Sequence, residues 1–240
     1  MLSNAEQAEI KKSIRSILAN GDRLAEDARS LWEMDRFSSA FALCILAQEE
    51  YGKAFLLHFV SVKAIPWNDN VQRVLRDHTS KQLLALIMDF LDPDVEDFAA
   101  WLDASSEAGH RLPGYVEDAL KIIHHKTISR QRPSSWGGGV DPLGDPHARR
   151  VAKGERDTQK QAALYVGVGT DFQVTSNPSS VSPHAVEIEL EKTTHLGRLL
   201  SRYDDTLQPL NSVEYQKIAF SFRLLFGLCT EEQYNRNWWA

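Results

Sequence analysis

Apolar residues recur at helical spacing along most of this chain, and in two neighbouring segments charge interrupts them at mid-length. The first is Phe41–Val60, where Ala40, Leu43, Cys44, Ala47, Tyr51, Ala54 and Phe55 follow i, i+3, i+4, i+7 spacing. Ile45, Leu46, Leu56 and Leu57 widen that stripe until both flanks are apolar almost all round, the mark of a buried helix. Glu49, Glu50 and Lys53 sit in its middle, and charge is costly there unless paired or hydrogen-bonded. Lys53 reaches Glu49 at i,i+4 or Glu50 at i,i+3, so one lysine can serve either acid. The remaining negative charge must be answered from elsewhere in the chain. The plainer alternative is a narrow solvated strip with Lys53 as a surface partner. Gly52 speaks against it: glycine in a helix costs about 1 kcal/mol relative to alanine, and its use there lets another backbone come close.

The second segment is about Val71 to Leu91, capped by Asn68 or Asp69 after Pro66. Its apolar positions include Val74, Leu75, Leu83, Leu84 and Ile87, and Arg73, Arg76, Asp77, His78 and Lys81 lie between them. Asp77 and Lys81 have i,i+4 spacing.

The remaining pattern is helical with one exception. Ser3-Asn4-Ala5-Glu6 has capping-box spacing and opens a helix with Ile10, Ile14, Ile17 and Leu18 inward. Asn20-Gly21 punctuates it before Leu24, Ala28 and Leu31, which leaves one bent helix or two. A short acidic helix is expected at Val95–Leu102 and an amphipathic run from Tyr115 to about Ser129. Arg132–Arg149, with Gly137-Gly138-Gly139 and three prolines, reads as a loop, and helix resumes at Val151–Ala162. Leu164–Val168 and Phe172–Val174 alternate and can pair as a small hairpin. Ser182-Pro183 reads as an N-cap with proline at N1 of a long helix, and Val213-Glu214 begins the last. The expected fold is all-α, a multi-helix bundle with a small β-hairpin. At 240 residues it forms one domain, 1–240, with a basic loop and hairpin insertion at about 131–181.

Composition narrows the function. No apolar run reaches the roughly 20 residues needed to span a bilayer, so no membrane role is expected. The N-terminal stretch has no apolar segment of a signal peptide. Cys44 and Cys229 both lie in apolar helical patterns and read as buried reduced thiols of a cytoplasmic protein. The net charge of −6 speaks against a generic nucleic-acid binder, but it is unevenly spread. Met88–Leu120 carries nine acids against the single Arg111, whereas Lys121–Lys160 has nine Lys/Arg against four acids. Within that basic stretch Lys126, Arg130, Arg132, Arg149 and Arg150 are candidate RNA contacts, although a solvated surface explains them as well.

Several chemistries drop out. Gly137–Gly139 lacks the flanking strand and helix of a phosphate loop, and no G-x-S-x-G is present. A di-iron bundle needs two Glu-x-x-His pairs, and only Glu107–His110 has that spacing. No metal or cofactor is therefore expected. His78 remains, a group that titrates near neutral pH and can act as general acid or base beside Arg73. Arg73–His78 fits the Arg-x4-His pattern of metal-independent helical ribonucleases, but composition alone supplies such a match by chance. Its value lies in its place at the charged middle of a buried helix.

The run Ala40-x-x-Leu43-x-x-x-Ala47-x-Glu49-Glu50-x-Gly52-Lys53-Ala54 resembles the signature of the AbiV family of abortive infection proteins. Leu24–Leu31, Asp77-His78-x-x-Lys81 and Lys160-x-x-x-Leu164-Tyr165-Val166 are similar to further elements of that family, in the same order. Gly167 departs from it, standing where the family usually has aspartate. The resemblance implies a HEPN-like helical bundle, often a homodimer, acting in phage defence by stopping protein synthesis in the infected cell. It implies RNA or the translation machinery as partner, with a phage-encoded activator as a further candidate. Carried over by position, the site would comprise Glu49, Glu50, Lys53, Asp77, His78 and Lys81; the reading of the residues themselves adds Arg73 to hold a phosphate oxygen. Two function classes stay open: a ribonuclease centred on His78, and a non-catalytic toxin that binds a translation component or a phage protein, its polar cluster a structural network.

Overall fold

The computed structural model describes residues 3–91, 112–130, 145–178, 181–204 and 213–229. Helix α1 (Asn4–Glu33) opens on the expected capping box: Ser3 Oγ accepts from the Glu6 amide, and Glu6 accepts from the Ser3 amide at 2.7 Å. It runs unbroken through Asn20-Gly21, which settles the alternative of one helix or two. Gly21 is needed for packing, because a Cβ there would stand 2.6 Å from the Tyr51 ring. Tyr51 enters that gap and donates to Asp22 at 2.8 Å; on its other side Gly197 leaves room for its hydroxyl.

Helix α2 (Phe37–Ser61) is the axis of the bundle, buried along most of its length. The helices over Asn4–Glu33, His78–Asp89, Glu155–Leu164 and Pro183–Asp204 pack around it. Its C-terminal end lies in a ring cluster, with Phe55 and Phe59 against Tyr215 and Phe222 of the last helix.

The segment expected as one helix over Val71–Leu91 is two, α3 (Asp69–Arg76) and α4 (His78–Asp89). Asp77 is extended (φ −82°, ψ 120°) and its carboxylate accepts from the Ser80 amide at 2.7 Å. A short acid that bonds the backbone three residues on starts a new helix instead of continuing the old one. Apolar periodicity on both sides concealed this break. Asn68 caps α3 as expected.

Helix α5 (Gly114–Ile122) widens into a π-helical turn over Ile123–Ile128, where an uninterrupted amphipathic run to Ser129 was expected. The turn sets Thr127 Oγ1 2.7 Å from Ser80 Oγ and hydrogen-bonds Lys126 to Thr79, so it clamps the start of α4. Helix α6 (Pro146–Ala152) begins inside the expected loop, because Asp145 caps it at 2.8 Å through the Ala148 amide. Gly154, at φ 74°, turns the chain into α7 (Glu155–Leu164). The hairpin is shorter than expected and displaced along the chain: β1 (Gly167–Val168) pairs antiparallel with β2 (Val174–Ser176), Val168 opposite Val174. Leu164 is the last residue of α7. Helices α8 (Pro183–Asp204) and α9 (Val213–Leu225) complete the bundle, α8 beginning at Ser182-Pro183 as expected.

Among the described residues the architecture is all-α with one two-stranded hairpin. Among the described residues no helix is long and apolar enough to cross a membrane. Cys44 is buried and its thiol is pushed up to about 12 by desolvation, whereas Cys229 is only partly buried. The expected acidic helix Val95–Leu102, Glu107–His110 and the triple glycine lie outside the described residues.

Candidate functional site

Gly52 brings α2 and α4 together. A Cβ there would lie 2.5 Å from the Lys81 carbonyl oxygen, so only glycine admits this backbone contact. The close approach sets the middle of α2 against the first turn of α4, so the two charged helix centres face each other.

Glu49 is the hub. It is 2 % exposed, and four side chains meet its carboxylate. Oε2 lies 2.7 Å from His78 Nδ1 and 3.0 Å from Lys81 Nζ. Oε1 lies 2.8 Å from Lys160 Nζ and 3.0 Å from Gln82 Nε2. Burial by itself would push the Glu49 carboxyl up. The hydrogen bond from Lys160, the charge and hydrogen bond of Lys81, and Gln82 outweigh it and hold the group at about 2. Burial pulls the Lys160 ammonium down, but Asp157 and Glu49 outweigh that and raise it above its ordinary value.

His78 stands at the edge of this network. Its Nδ1 is fixed by the buried carboxylate while its side chain is 55 % exposed. An ionised carboxylate only accepts, so Nδ1 donates to it, and Nε2 has no partner among the described residues.

Glu49, His78 and Asp157 bring potential metal-ligand atoms within 4.8 Å of one another. Lys160 Nζ lies 2.8 Å from Glu49 Oε1, 2.8 Å from Asp157 Oδ1 and 3.5 Å from His78 Nδ1. The ammonium therefore occupies the place a cation would take within this trio.

The sequence-predicted residues separate into groups. Glu49, His78 and Lys81 converge. Glu50 and Lys53 form their own pair at 2.6 Å, so Lys53 does not serve Glu49. Asp77 caps α4 and sits 4.0 Å from Lys126, and the expected Asp77–Lys81 pair is replaced by Lys81–Glu49. Arg73 donates to Asn70 Oδ1 at 3.0 Å within its own helix. Among the described residues no hydrogen bond or ion pair joins it to His78. Arg130 is exposed at the end of the π-turn; Arg149 and Arg150 lie on α6, Arg150 3.1 Å from His147 Nδ1. Arg132 lies outside the described residues.

Lys160, Asp157 and Gln82 were not singled out from the sequence. Two signals pointed to Lys160: the unanswered negative charge on α2, and its place at the head of the Lys160–Val166 element. A second polar network lies one residue earlier on α2. There Gln48 donates to Glu189 Oε2 at 2.8 Å and to Thr193 at 2.9 Å, and Arg156 donates to Gln48 Oε1 at 2.9 Å.

The site is charge gathered between two apolar helix centres of a helical bundle. The HEPN_AbiV family model, AbiV, matches residues 9–197, a span that includes Glu49, His78, Lys81 and Lys160. The chain belongs to the AbiV family, whose members are HEPN-type proteins of abortive infection, a form of phage defence. No curated protein and no solved structure matches it.

Proposed function

We propose that this protein is a phage-defence effector that halts translation in the infected cell as a metal-independent ribonuclease, with His78 as its general base. One observation carries the proposal: an exposed imidazole whose Nδ1 is held 2.7 Å from a buried, ionised carboxylate, leaving Nε2 to solvent. That arrangement fixes tautomer and ring orientation, which a base near neutral pH requires. In RNA, Nε2 would take the proton of a ribose 2′-hydroxyl. The 2′-oxygen would then attack the adjacent phosphorus as the bond to the 5′-oxygen breaks and that oxygen takes a proton from water, giving a 2′,3′-cyclic phosphate and a 5′-hydroxyl, and Nε2 would return its proton to the hydroxide so formed. Lys126, Arg130, Arg132, Arg149 and Arg150 would steer the RNA backbone. Arg73 would need to leave Asn70 to hold the phosphate.

The second reading is a non-catalytic toxin that binds a translation component or a phage protein. It is favoured by the saturation of Glu49, whose four partners are all internal, and by the separation of Arg73 from His78. His78→Gln distinguishes the two, since an amide can still donate to Glu49 but cannot relay a proton. RNA from phage-infected cells carrying either form supplies the readout. Discrete cleavage by wild type, lowered about 10²- to 10⁴-fold in a folded His78→Gln protein, supports catalysis. Intact RNA beside halted translation, or full activity in the variant, removes it.

A further inference from the structure

The polar network around Gln48 leaves donors unused. Arg156 gives its Nη2 to Gln48 Oε1 and Glu189 Oε2, but its Nε is buried with no hydrogen-bond partner among the described residues. Lys192 lies three residues after Glu189 on α8 and three before His195, which stands 3.8 Å from Asp89 at the end of α4. Its half-buried side chain is therefore carried on the side of α8 that meets α7 and α4. It too makes no hydrogen bond or ion pair among the described residues. A guanidinium N–H and an ammonium withdrawn from water are costly unless an acceptor meets them, and the described chain offers none.

His147 and Arg150, both exposed on α6, form the open side of this place, with Arg150 Nη2 3.1 Å from His147 Nδ1. Burial and the charges of Arg150, Lys192 and Arg156 lower the His147 imidazole, and Asp145, the one acid acting on it, does not offset them. Burial and Arg156 lower the Lys192 ammonium against the pull of Asp89 and Glu189. Helices α6, α7 and α8 thus bring positive charge to one point.

The charge balance indicates the class of ligand. Glu189 answers Arg156 at 2.6 Å, and the Asp145 carboxylate is committed to the cap of α6. Arg150 and Lys192 have no carboxylate within ion-pair distance among the described residues, which leaves two positive charges for a guest. Donors arriving from three helices suit a tetrahedral oxyanion with several acceptor oxygens better than a planar carboxylate. A phosphomonoester carries about two negative charges at neutral pH, and an internal phosphodiester of a strand carries one.

We propose that Lys192, Arg156, His147 and Arg150 form a binding site for a doubly charged phosphate group, a phosphomonoester or pyrophosphate, outside the Glu49–His78 centre. The inference does not rest on the ribonuclease reading, since it concerns binding and not cleavage. Arg150 is shared with the proposed RNA path, so the probes must separate such a phosphate from the diesters of a strand.

The test is calorimetric titration of the full chain with pyrophosphate, for wild type, Lys192→Met, Arg150→Gln and the control Arg23→Gln on α1. Lys192→Met removes an unpaired charge and Arg150 is exposed, so both variants should unfold no more readily than wild type. The expected result is saturable binding, weakened about 10-fold or more by Lys192→Met and by Arg150→Gln and unchanged by Arg23→Gln. Followed by NMR, His147 should keep its proton to higher pH with the ligand present, because a nearby anion favours the charged ring. Two oligodeoxynucleotides of one sequence, ending in a 5′-phosphate or a 5′-hydroxyl, identify the source. Lys192-dependent binding of the phosphorylated strand alone supports the inference with a strand end as ligand. Equal Lys192-dependent binding of both strands overturns it in favour of an internal diester. It is also overturned if neither pyrophosphate nor the phosphorylated strand binds wild type, or if all four proteins bind alike.

Discussion

Helix α2 buries polar groups at two places that are built in opposite ways. At mid-length Glu49 remains ionised in the core, held at about 2 by cations from α4 and α7 despite its burial. At the C-terminal end His58 lies among aromatic rings with its Nε2 2.9 Å from the Tyr215 hydroxyl, and burial lowers it to about 4. One region keeps a charge and recruits countercharges from distant segments. The other keeps a titratable group neutral. The contrast extends to the two histidines: His58 is sealed in, whereas His78 has one nitrogen in the network and its ring in solvent. Of the two, only His78 can meet a substrate.

The largest expected effect comes from breaking the charged centre. Glu49→Leu leaves Lys81 and Lys160 buried without their shared acid, and a loss of about 3–5 kcal/mol is expected in urea unfolding. A loss below about 1 kcal/mol would mean that the ammonium groups reach solvent and the centre is not sealed.

Acid separates the two regions by pH window. His58 has a folded value near 4 against an ordinary 6.5, so between these the unfolded chain binds more protons and stability falls as pH falls. That loss amounts to about 3 kcal/mol by pH 4. Glu49, near 2 against 4.5, contributes stability that is complete above pH 4.5 and lost on further acidification toward 2. Thermal unfolding at stepped pH should show the first loss vanish in His58→Gln and persist in His78→Gln.

A smaller effect tests the contact that joins the helices. Gly52→Ala forces a Cβ against the Lys81 carbonyl and should cost about 1–3 kcal/mol in chemical unfolding. An unchanged midpoint would show that α2 and α4 can part at little cost. The smallest change is expected at the exposed histidine. His78→Gln should shift stability by no more than about 0.5 kcal/mol, so that any loss of RNA cleavage is chemical and not structural.

Much of the fold could be read along the chain because it is locally encoded. The Ser3–Glu6 capping box, the Asn68 cap and the Ser182-Pro183 start depend on neighbours three or four residues away. The break at Asp77 was also local, yet apolar residues at helical spacing on both sides made one helix the simpler pattern. Glu49, His78 and Lys81 were identified within a larger group that included Glu50, Lys53 and Asp77, and Arg73 was placed with His78 on a sequence pattern alone, although residues five apart stand roughly 140° apart around a helix. Asn70 holds the Arg73 guanidinium within its own helix.

The sequence by itself pointed to a buried α2 with more acid than Lys53 can neutralise and to a close backbone at Gly52, with a narrow solvated strip as the alternative. Each follows from periodicity and from the cost of charge in an apolar medium, which any packing of this chain must obey. Only the tertiary structure decided that Glu50 takes Lys53 while Glu49 takes Lys81 and Lys160. Glu49 and Lys160 are 111 residues apart, and nothing in their local spacing distinguishes that pair from any other acid and base. The same packing left His78 with one nitrogen fixed and its ring in solvent, because exposure depends on which helices cover a position.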